Sequence, residues 1–222
     1  MVKVISCRSS DFDQLGNAVS SGGTVVFPTD TVYGLGSSPS SEVGVSKCLE
    51  LKARDEGKPF PVLFSRIEDV KRVASLDQTA LSLAKGFWPG ALTIILPLRE
   101  GAMISRKLAG SNGGLAVRIP NHNCCKELIV ACGGSLIGTS ANISGRKPSA
   151  NWEDRDLQDF AKGADYFVKG ECGSVRAPST IVDLTLGDGI RFGREGAVTK
   201  DEVLSYLEKA SRIDFSASKS MI

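Results

Sequence analysis

Short apolar runs that alternate with segments of helical spacing are the feature that most limits how this chain can fold. The clearest run is Thr24 to Phe27, which is apolar and β-branched and is ended by Pro28. Such a run predicts a strand buried on both faces, because proline cannot donate to a β-ladder. Strands and helices alternate to the end of the chain. The pattern predicts an α/β (α+β) fold, a single domain with a twisted mixed β-sheet flanked by helices.

The predicted elements follow from periodicity and from breaking residues. Helices are expected over residues 11–20, 41–54, 67–74, 78–87, 124–132, 152–162 and 199–210. Strands are expected over residues 2–5, 24–27, 62–64, 92–96, 115–119, 136–138, 166–168, 179–184 and 190–192. Thr199 and Glu202 have the spacing of a capping box for the last helix. The domain is therefore expected to span residues 1–212, with 213–222 as a flexible C-terminal tail.

Composition excludes some classes of protein. The net charge of the 222-residue chain is only +2, so nucleic-acid binding would need a local basic patch. No apolar run approaches the 18 residues of a membrane-spanning helix, and the N-terminus lacks the core of a signal peptide. The six cysteines form no C-x-x-C pair. We therefore expect a reduced, cytoplasmic protein that has no disulfide and no zinc site.

The single histidine limits the available catalytic chemistry. Ser-His-Asp, Cys-His and two-histidine metal sites would all have to use His122. It lies in a polar turn after a predicted strand, which favours a solvated side chain. We therefore expect chemistry without an imidazole base. The sequence also lacks the P-loop pattern and a G-x-G-x-x-G after a strand, which excludes those two routes to nucleotide binding.

The loop after the Thr24 strand is rich in hydroxyl groups. Thr29, Thr31 and Tyr33 alternate, so an extended backbone would place their hydroxyls on one side. Gly34 and Gly36 would leave the adjacent backbone open. This arrangement suits a small polar ligand at a strand end. A capped strand with a tight turn explains the same residues, and the sequence leaves both interpretations open.

Basic residues lie at the ends of several predicted elements. Lys52, Arg54 and Lys58 follow a helix, where they could cap free carbonyl groups or bind an anion. Residues 52 and 54 can converge on one anion only if the helix ends between them. Arg118 interrupts an apolar strand, and Arg194 also lies in a predicted strand region, in RFGREG. Each needs either an internal carboxylate or the anion of a ligand as a partner.

A set of motifs distributed along the whole chain gives a more specific indication. They are PTDTVYGLG at 28–36, LKAR at 51–54 with Lys58-Pro59, WPGALTIIL at 88–96, AVRIP at 116–120, TSANISG at 139–145, STIVDLT at 179–185 and a terminal RFGREG. In this order they resemble the YrdC-like threonylcarbamoyl-AMP synthases. The chain is similar to the short form of that family, which lacks an extra C-terminal domain. Some relatives carry a histidine where this chain has Leu63.

The resemblance implies an enzyme, a nucleotidyltransferase of tRNA processing in the cytoplasm. It would join L-threonine, bicarbonate and ATP into threonylcarbamoyl-AMP and release pyrophosphate, with Mg²⁺ arriving on the ATP. A downstream threonylcarbamoyl transferase complex would then modify an adenosine of tRNA. The family fold is a twisted α/β sheet with a concave basic groove, and its members were also described as binding double-stranded RNA.

The resemblance also implies roles for individual residues. L-Threonine is assigned to Thr31, Tyr33, Arg118, Gly138 and Ser179. ATP is assigned to Lys52, Arg54, Lys58, Ser140, Asn142, Ser149 and Arg194, with Lys52 and Arg54 as the catalytic residues. No metal site of the protein's own is implied.

Two other functions remain open at this point. One is a non-enzymatic module that binds double-stranded RNA or tRNA through the basic groove, against which the net charge of +2 argues weakly. The other is a carbamoyl-transfer maturation factor that contains a similar domain. Such factors usually also carry zinc-finger and acylphosphatase segments, and the sequence contains neither.

Overall fold

The computed structural model describes residues 1–7, 10, 12–53, 60–175, 177–186 and 189–219, with side chains described up to residue 211. The helices are α1 Phe12–Ser20, α2 Glu42–Leu51, α3 Ile67–Val73, α4 Gln78–Phe87, α5 Asn123–Ala131, α6 Arg155–Ala161 and α7 Lys200–Lys219. The strands are β1 Lys3–Ser6, β2 Val25–Phe27, β3 Gly34–Gly36, β4 Val62–Phe64, β5 Leu92–Pro97, β6 Gly114–Arg118, β7 Ser135–Ile137, β8 Thr139–Ser140, β9 Tyr166–Lys169, β10 Thr180–Asp183 and β11 Arg191–Arg194. A short 3₁₀ helix spans Arg106–Leu108.

The strands form two mixed sheets. One has the order β1-β9-β2-β3-β8, and the other has the order β11-β10-β5-β6-β4-β7. Each contains parallel and antiparallel pairs, such as β1 with β9 and β2 with β3 in the first sheet. The α/β class with mixed sheets is confirmed. The strands form two sheets, where the sequence predicted one. The difference arises because β2 pairs with β9 and β3, whereas β5 pairs with β10 and β6, and no ladder between described residues joins the two groups.

The glycines after the hydroxyl-rich loop belong to a strand that periodicity did not predict. A Cβ atom on Gly36 would overlap the carbonyl oxygen of Ile137, and one on Gly34 would lie 3.0 Å from the ring of Phe27. Glycine is therefore needed for the close approach of β3 to its neighbours. Because β3 folds back on β2, residues 28–33 become the connection between two paired strands.

The core is formed by the inner faces of the sheets and by the helices that cover them. Helices α1 and α5 pack together, and Leu15, Val19, Leu128 and Ile129 are fully buried between them and β2. Helix α4 contacts α7, where Phe87 and Tyr206 meet edge to face with ring centroids 5.3 Å apart.

The boundaries of two helices bear on earlier expectations. Helix α2 ends at Leu51, with Lys52 as its C-cap. The helix therefore ends just before residue 52. Arg54 lies outside the described residues, so the convergence of residues 52 and 54 on one anion stays a prediction. Helix α7 extends further than predicted, to Lys219. The capping box is confirmed, since Thr199 and Glu202 exchange hydrogen bonds between side chain and backbone. The domain limits of 1–212 and 213–222 stay a prediction.

The expectation about cysteines is wrong for one pair. Cys7, directly after β1, is bonded to Cys124 at the start of α5, and their Cα atoms lie 5.4 Å apart. The two residues are 117 positions apart in the chain. Spacing in the sequence gave no sign of the pair, because only the packing of α5 beside β1 brings the two thiols together.

His122 has a structural role in place of the expected solvated one. Its Nδ1 accepts a hydrogen bond from the backbone of Cys125 at 3.2 Å and so caps α5. Its Nε2 lies 2.8 Å from the carbonyl oxygen of Glu171, an arrangement that assigns the proton to Nε2. Both ring nitrogens are thus used within the fold. Over the described residues, no helix has the length and apolar character needed to cross a bilayer.

Candidate active site

Thr29 and Thr31 organise the loop between β2 and β3. The Thr29 hydroxyl donates to the carbonyl of Val32 at 2.8 Å and accepts from the backbone of Thr31 at 3.1 Å. The two threonine hydroxyl oxygens are 3.0 Å apart. Because the Thr29 proton goes to Val32, Thr31 must donate to Thr29. The oxygen of Thr31 is therefore left to act as an acceptor.

Arg118, at the end of β6, contacts three groups from two separate parts of the chain. Its Nη2 donates to the Asp30 carboxylate, and its Nε donates to the carbonyl of Gly90 at 2.9 Å. Its Nη1 lies 3.4 Å from the hydroxyl of Thr31. Arg118 and Asp30 are both nearly fully buried. The buried charge expected from the sequence has an internal carboxylate as its partner.

Ser179 and Arg194 meet across the neighbouring strands β10 and β11. The Ser179 hydroxyl is 2.8 Å from that of Thr93, which is fully buried on β5. Arg194 donates to the carbonyl of Ser179 through Nε at 3.1 Å and through Nη2 at 2.8 Å. The parallel pairing of β10 with β5 places Thr93 opposite Ile181. Ser179 is two residues before Ile181, so its side chain is on the same face of the sheet and can reach Thr93.

One cavity of about 420 Å³ brings most of these groups together. Arg118 and Arg194 both line it, so two guanidinium groups that are distant in sequence share one space. The other expected site residues along its wall are Thr31, Tyr33, Gly138, Ser140, Asn142 and Ser179. A cavity of this size with a few convergent polar groups is typical of a small-molecule site.

A second cavity of about 810 Å³ adjoins the first. Both are lined by Val32, Asn142, Arg146 and Pro148, so they share a wall. Ser149 lines only this second cavity, and its carbonyl accepts a hydrogen bond from the backbone of Tyr33 at 2.8 Å. The predicted site residues are therefore distributed over two neighbouring cavities.

Lys52 lies beneath the turn that follows β8. Its ammonium donates to the carbonyls of Ser140 at 2.5 Å and Asn142 at 2.8 Å, and the residue is only 2% exposed. The residues lining the two cavities do not include Lys52. In this structure its ammonium thus stabilises the turn that presents Ser140 and Asn142. Arg54 and Lys58, the other predicted phosphate ligands, lie outside the described residues.

Tyr33 departs from the expected row of three hydroxyls. Its hydroxyl donates to the carbonyl of Gly170 at 2.5 Å and accepts from the Gly170 backbone N–H at 3.0 Å. Burial raises the pKa of the Tyr33 phenol well above its ordinary value, so the hydroxyl stays neutral. Only Thr29 and Thr31 have adjacent hydroxyls, and Tyr33 contributes its body to the cavity wall.

Three groups that contact the expected site residues were not predicted as part of the site. They are the Asp30 carboxylate, the Gly90 carbonyl and the Thr93 hydroxyl. Asp30 lies within the motif PTDTVYGLG at 28–36. The need of the buried Arg118 for a carboxylate partner is the signal that could have identified it. Gly90 and Thr93 lie within the motif WPGALTIIL, but nothing in the sequence indicated their contacts, because a backbone carbonyl and one threonine in a strand are common to most proteins.

The carboxylates and thiols of the described residues form no cluster suited to a resident metal ion. No group of three or more His, Cys, Asp or Glu side chains lies together in the described ranges.

Comparison with known proteins gives the class of fold first. The crystal structure of Escherichia coli YciO matches 91% of this chain and 99% of its own, with a TM-score of 0.79 and 23% identity. The crystal structure of P. abyssi Sua5 complexed with L-threonine matches 93% of this chain, with a TM-score of 0.83 and 28% identity. This chain covers 60% of that Sua5 chain. The fold is thus that of the Sua5 and YciO proteins.

Sequence comparison then gives the family. The model of the Sua5/YciO/YrdC family, described as "Telomere recombination", matches residues 17–196. A threonylcarbamoyl-AMP synthase of Methylococcus capsulatus is 35% identical over 176 residues, which make up 79% of this chain and 93% of that protein. This chain belongs to the Sua5/YciO/YrdC family.

Proposed function

We propose that this chain is a threonylcarbamoyl-AMP synthase, which joins L-threonine, bicarbonate and ATP and releases pyrophosphate. The observation that carries the proposal is the cavity in which Arg118, Arg194 and the hydroxyls of Thr31 and Ser179 line one space. The 35% identical synthase and the Sua5 structure complexed with L-threonine support this choice of substrates.

The threonine would bind at the Arg118 end of the cavity. Arg118 would donate to its carboxylate, since a guanidinium suits a planar anion better than an ammonium does. The Thr31 oxygen would accept a hydrogen bond from the substrate, because its own proton is used within the loop. Tyr33, Gly138 and Ser179 would form the remaining wall.

The ATP would lie at the Arg194 end and extend into the second cavity. Ser140, Asn142 and Arg194 line the first cavity, and Ser149 lines the second. Arg54 and Lys58 would neutralise the phosphates directly, with Arg54 acting on the reacting groups. Lys52 would add its positive charge from beneath the turn that presents Ser140 and Asn142. Mg²⁺ would enter with the phosphate oxygens of ATP, which are the hard oxygen ligands that this ion prefers.

The chemistry needs no imidazole base. The neutral amine of threonine condenses with bicarbonate and loses water, or adds to CO₂ and releases a proton to solvent. Either route gives a carbamate, which is already an anionic nucleophile. Attack of the carbamate oxygen on the α-phosphorus forms the new P–O bond as the bond to pyrophosphate breaks. The protein's task is then to align two anions and to neutralise the leaving group, which clustered cations can do.

The product would be consumed by another protein. Threonylcarbamoyl-AMP is a mixed anhydride, and a threonylcarbamoyl transferase complex in the cytoplasm would pass its acyl group to an adenosine of tRNA. A basic groove that contacts tRNA or double-stranded RNA directly remains a subordinate proposal. The chain's net charge of +2 gives it little support.

Pyrophosphate release tests the proposal directly. The purified chain is incubated with ATP, Mg²⁺ and one amino acid, in buffer with bicarbonate and in buffer stripped of carbonate. We expect release with L-threonine only when bicarbonate is present. Mass spectrometry of the product identifies the carbamoyl group.

Two outcomes would contradict the proposal. Release that persists in carbonate-free buffer would indicate plain amino-acid adenylation. The lack of release with every amino acid, together with RNA binding that weakens steeply with salt, would indicate the non-enzymatic RNA-binding module.

A further inference from the structure

The ion pair between Arg118 and Asp30 has a feature that the proposed function does not explain. Asp30 is 7% exposed and is not among the residues lining the cavity, whereas its partner Arg118 lines it. Asp30 therefore does not face a ligand in the cavity. Any effect that its carboxylate has on a bound substrate must pass through Arg118.

The contacts of Arg118 define which of its donors are left for a ligand. Nη2 is used by Asp30, and Nε is used by the Gly90 carbonyl at 2.9 Å. Nη1 is directed to the Thr31 hydroxyl, at the long distance of 3.4 Å. The edge of the guanidinium that carries Nε and Nη2 is thus occupied. A substrate carboxylate would meet Nη1 beside the Thr31 oxygen.

The backbone that carries Asp30 is itself confined. The N–H of Gly173 donates to the carbonyl of Thr29 at 2.9 Å. A Cβ atom on Gly173 would lie 2.5 Å from the carbonyl oxygen of Asp30 and 2.8 Å from its Cα atom. The segment around Gly173 therefore packs directly on Asp30, which leaves the carboxylate little freedom to move away from Arg118.

Resting on the proposed function, we propose that Asp30 is a positioning residue for L-threonine. It holds the guanidinium of Arg118 so that Nη1 faces the cavity beside Thr31 before the substrate arrives. An arginine side chain loses rotamer freedom when it binds an anion, so a guanidinium held in advance binds the anion more tightly. The alternative is that Asp30 competes with the substrate carboxylate for Arg118, in which case it would weaken threonine binding. The two effects predict opposite changes in the KM for threonine.

The test compares Asp30→Ala and Asp30→Asn with the wild-type chain. We expect Asp30→Ala to raise the KM for threonine at least about tenfold, the size of a lost charge-assisted hydrogen bond, with the KM for ATP within about twofold. Asp30→Asn keeps an oxygen that can accept from Nη2, so it should raise the KM only about threefold. Asparagine is nearly the same size, so this variant provides a second measurement if the alanine variant folds poorly.

A double-mutant cycle asks whether Asp30 acts through Arg118. In the Arg118→Gln background, Asp30→Ala should change the KM for threonine by less than about twofold, because the group that it positions is absent. The matched control is Asp69→Asn. Asp69 is 8% exposed and pairs with Arg66 and Arg72, outside both cavities. Its variant should lower the melting temperature and leave the KM for threonine unchanged.

Each outcome has a distinct meaning. A wild-type chain that neither binds L-threonine in calorimetry nor releases pyrophosphate would overturn the proposed function and this inference with it. An active wild-type chain with an unchanged or lowered KM in Asp30→Ala would overturn the positioning role alone. The same would follow if the effect of Asp30→Ala were undiminished in Arg118→Gln, or if Asp69→Asn raised the KM equally.

Discussion

Arg194 donates two hydrogen bonds to the backbone carbonyl of Ser179, from Nε at 3.1 Å and from Nη2 at 2.8 Å. Ser179 is assigned to the threonine side of the cavity and Arg194 to the ATP side. The contact therefore joins the two substrate sites through β10 and β11, which are neighbours in one sheet. A substitution of Arg194 should therefore change the KM for both substrates.

The first prediction follows from this contact. Arg194→Ala removes a cation from the cavity and both donors from the Ser179 carbonyl. We expect the KM for ATP to rise at least about tenfold and the KM for threonine to rise about threefold, as measured by pyrophosphate release. Arg191→Ala is the control, because Arg191 lies on the same strand but lines neither cavity. A rise confined to threonine would move Arg194 to the other substrate.

The second prediction concerns Lys52. Lys52→Met keeps an unbranched side chain but removes the ammonium that donates to the carbonyls of Ser140 and Asn142. We expect pyrophosphate release to fall at least about a hundredfold, because both the turn and a phosphate-neutralising charge are affected. Circular dichroism should show an intact fold. Lys47→Met, at a half-buried position on the same helix that lines neither cavity, should keep full turnover. Unchanged turnover in Lys52→Met would remove Lys52 from the site.

Arg54 allows a companion measurement. We expect Arg54→Ala to abolish pyrophosphate release while the fold remains intact, because the resemblance assigns this guanidinium to the phosphates of ATP. The measurement is the same assay, with the melting temperature as the check on folding. Wild-type turnover in Arg54→Ala would contradict a catalytic role for Arg54.

A further prediction separates the two substrates at Arg118. Arg118→Gln should raise the KM for threonine at least about tenfold and leave the KM for ATP nearly unchanged, because only the threonine carboxylate is expected to meet Nη1. It also leaves Asp30 without its charged partner, which should lower the melting temperature. The opposite pattern of KM changes would reassign Arg118 to the nucleotide.

Gly138 offers a steric test of the threonine wall. A Cβ atom there would overlap the side chain of Leu63, which is 1% exposed and lines the same cavity. Gly138→Ala should therefore push Leu63 into the space for threonine and cost about 1–3 kcal/mol of stability through overpacking. We expect a raised KM for threonine, and Leu63→Val in the same chain should partly restore it. A wild-type KM in Gly138→Ala would show that threonine binds elsewhere.

The last prediction concerns the thiols. Burial raises the pKa of Cys48 and Cys132 to about 12, and it raises that of Cys125 further. Because a raised pKa keeps a thiol neutral at pH 8, these three should resist alkylation until the chain unfolds. The half-buried Cys172 should react first. Mass spectrometry without reductant should find four alkylated cysteines after unfolding, and labelling of all six would contradict the bond between Cys7 and Cys124.

The sequence by itself located most strands and helices, because their apolar periodicity and their caps are local properties. The span of α4 was predicted to the residue, and the capping box of α7 was read from two positions. The sequence also showed that Arg118 needs a partner, since a charge in an apolar strand is costly wherever the strand packs.

Only the tertiary structure decided which groups meet. It paired Arg118 with Asp30, joined Cys7 to Cys124, directed Tyr33 to Gly170 and used His122 as a helix cap. It also formed β3 from a glycine-rich segment that has little strand propensity of its own. Local sequence fixes what each residue can donate, accept or bury. The choice of partner depends on contacts between segments that are distant in the chain, and these exist only once the sheets have formed.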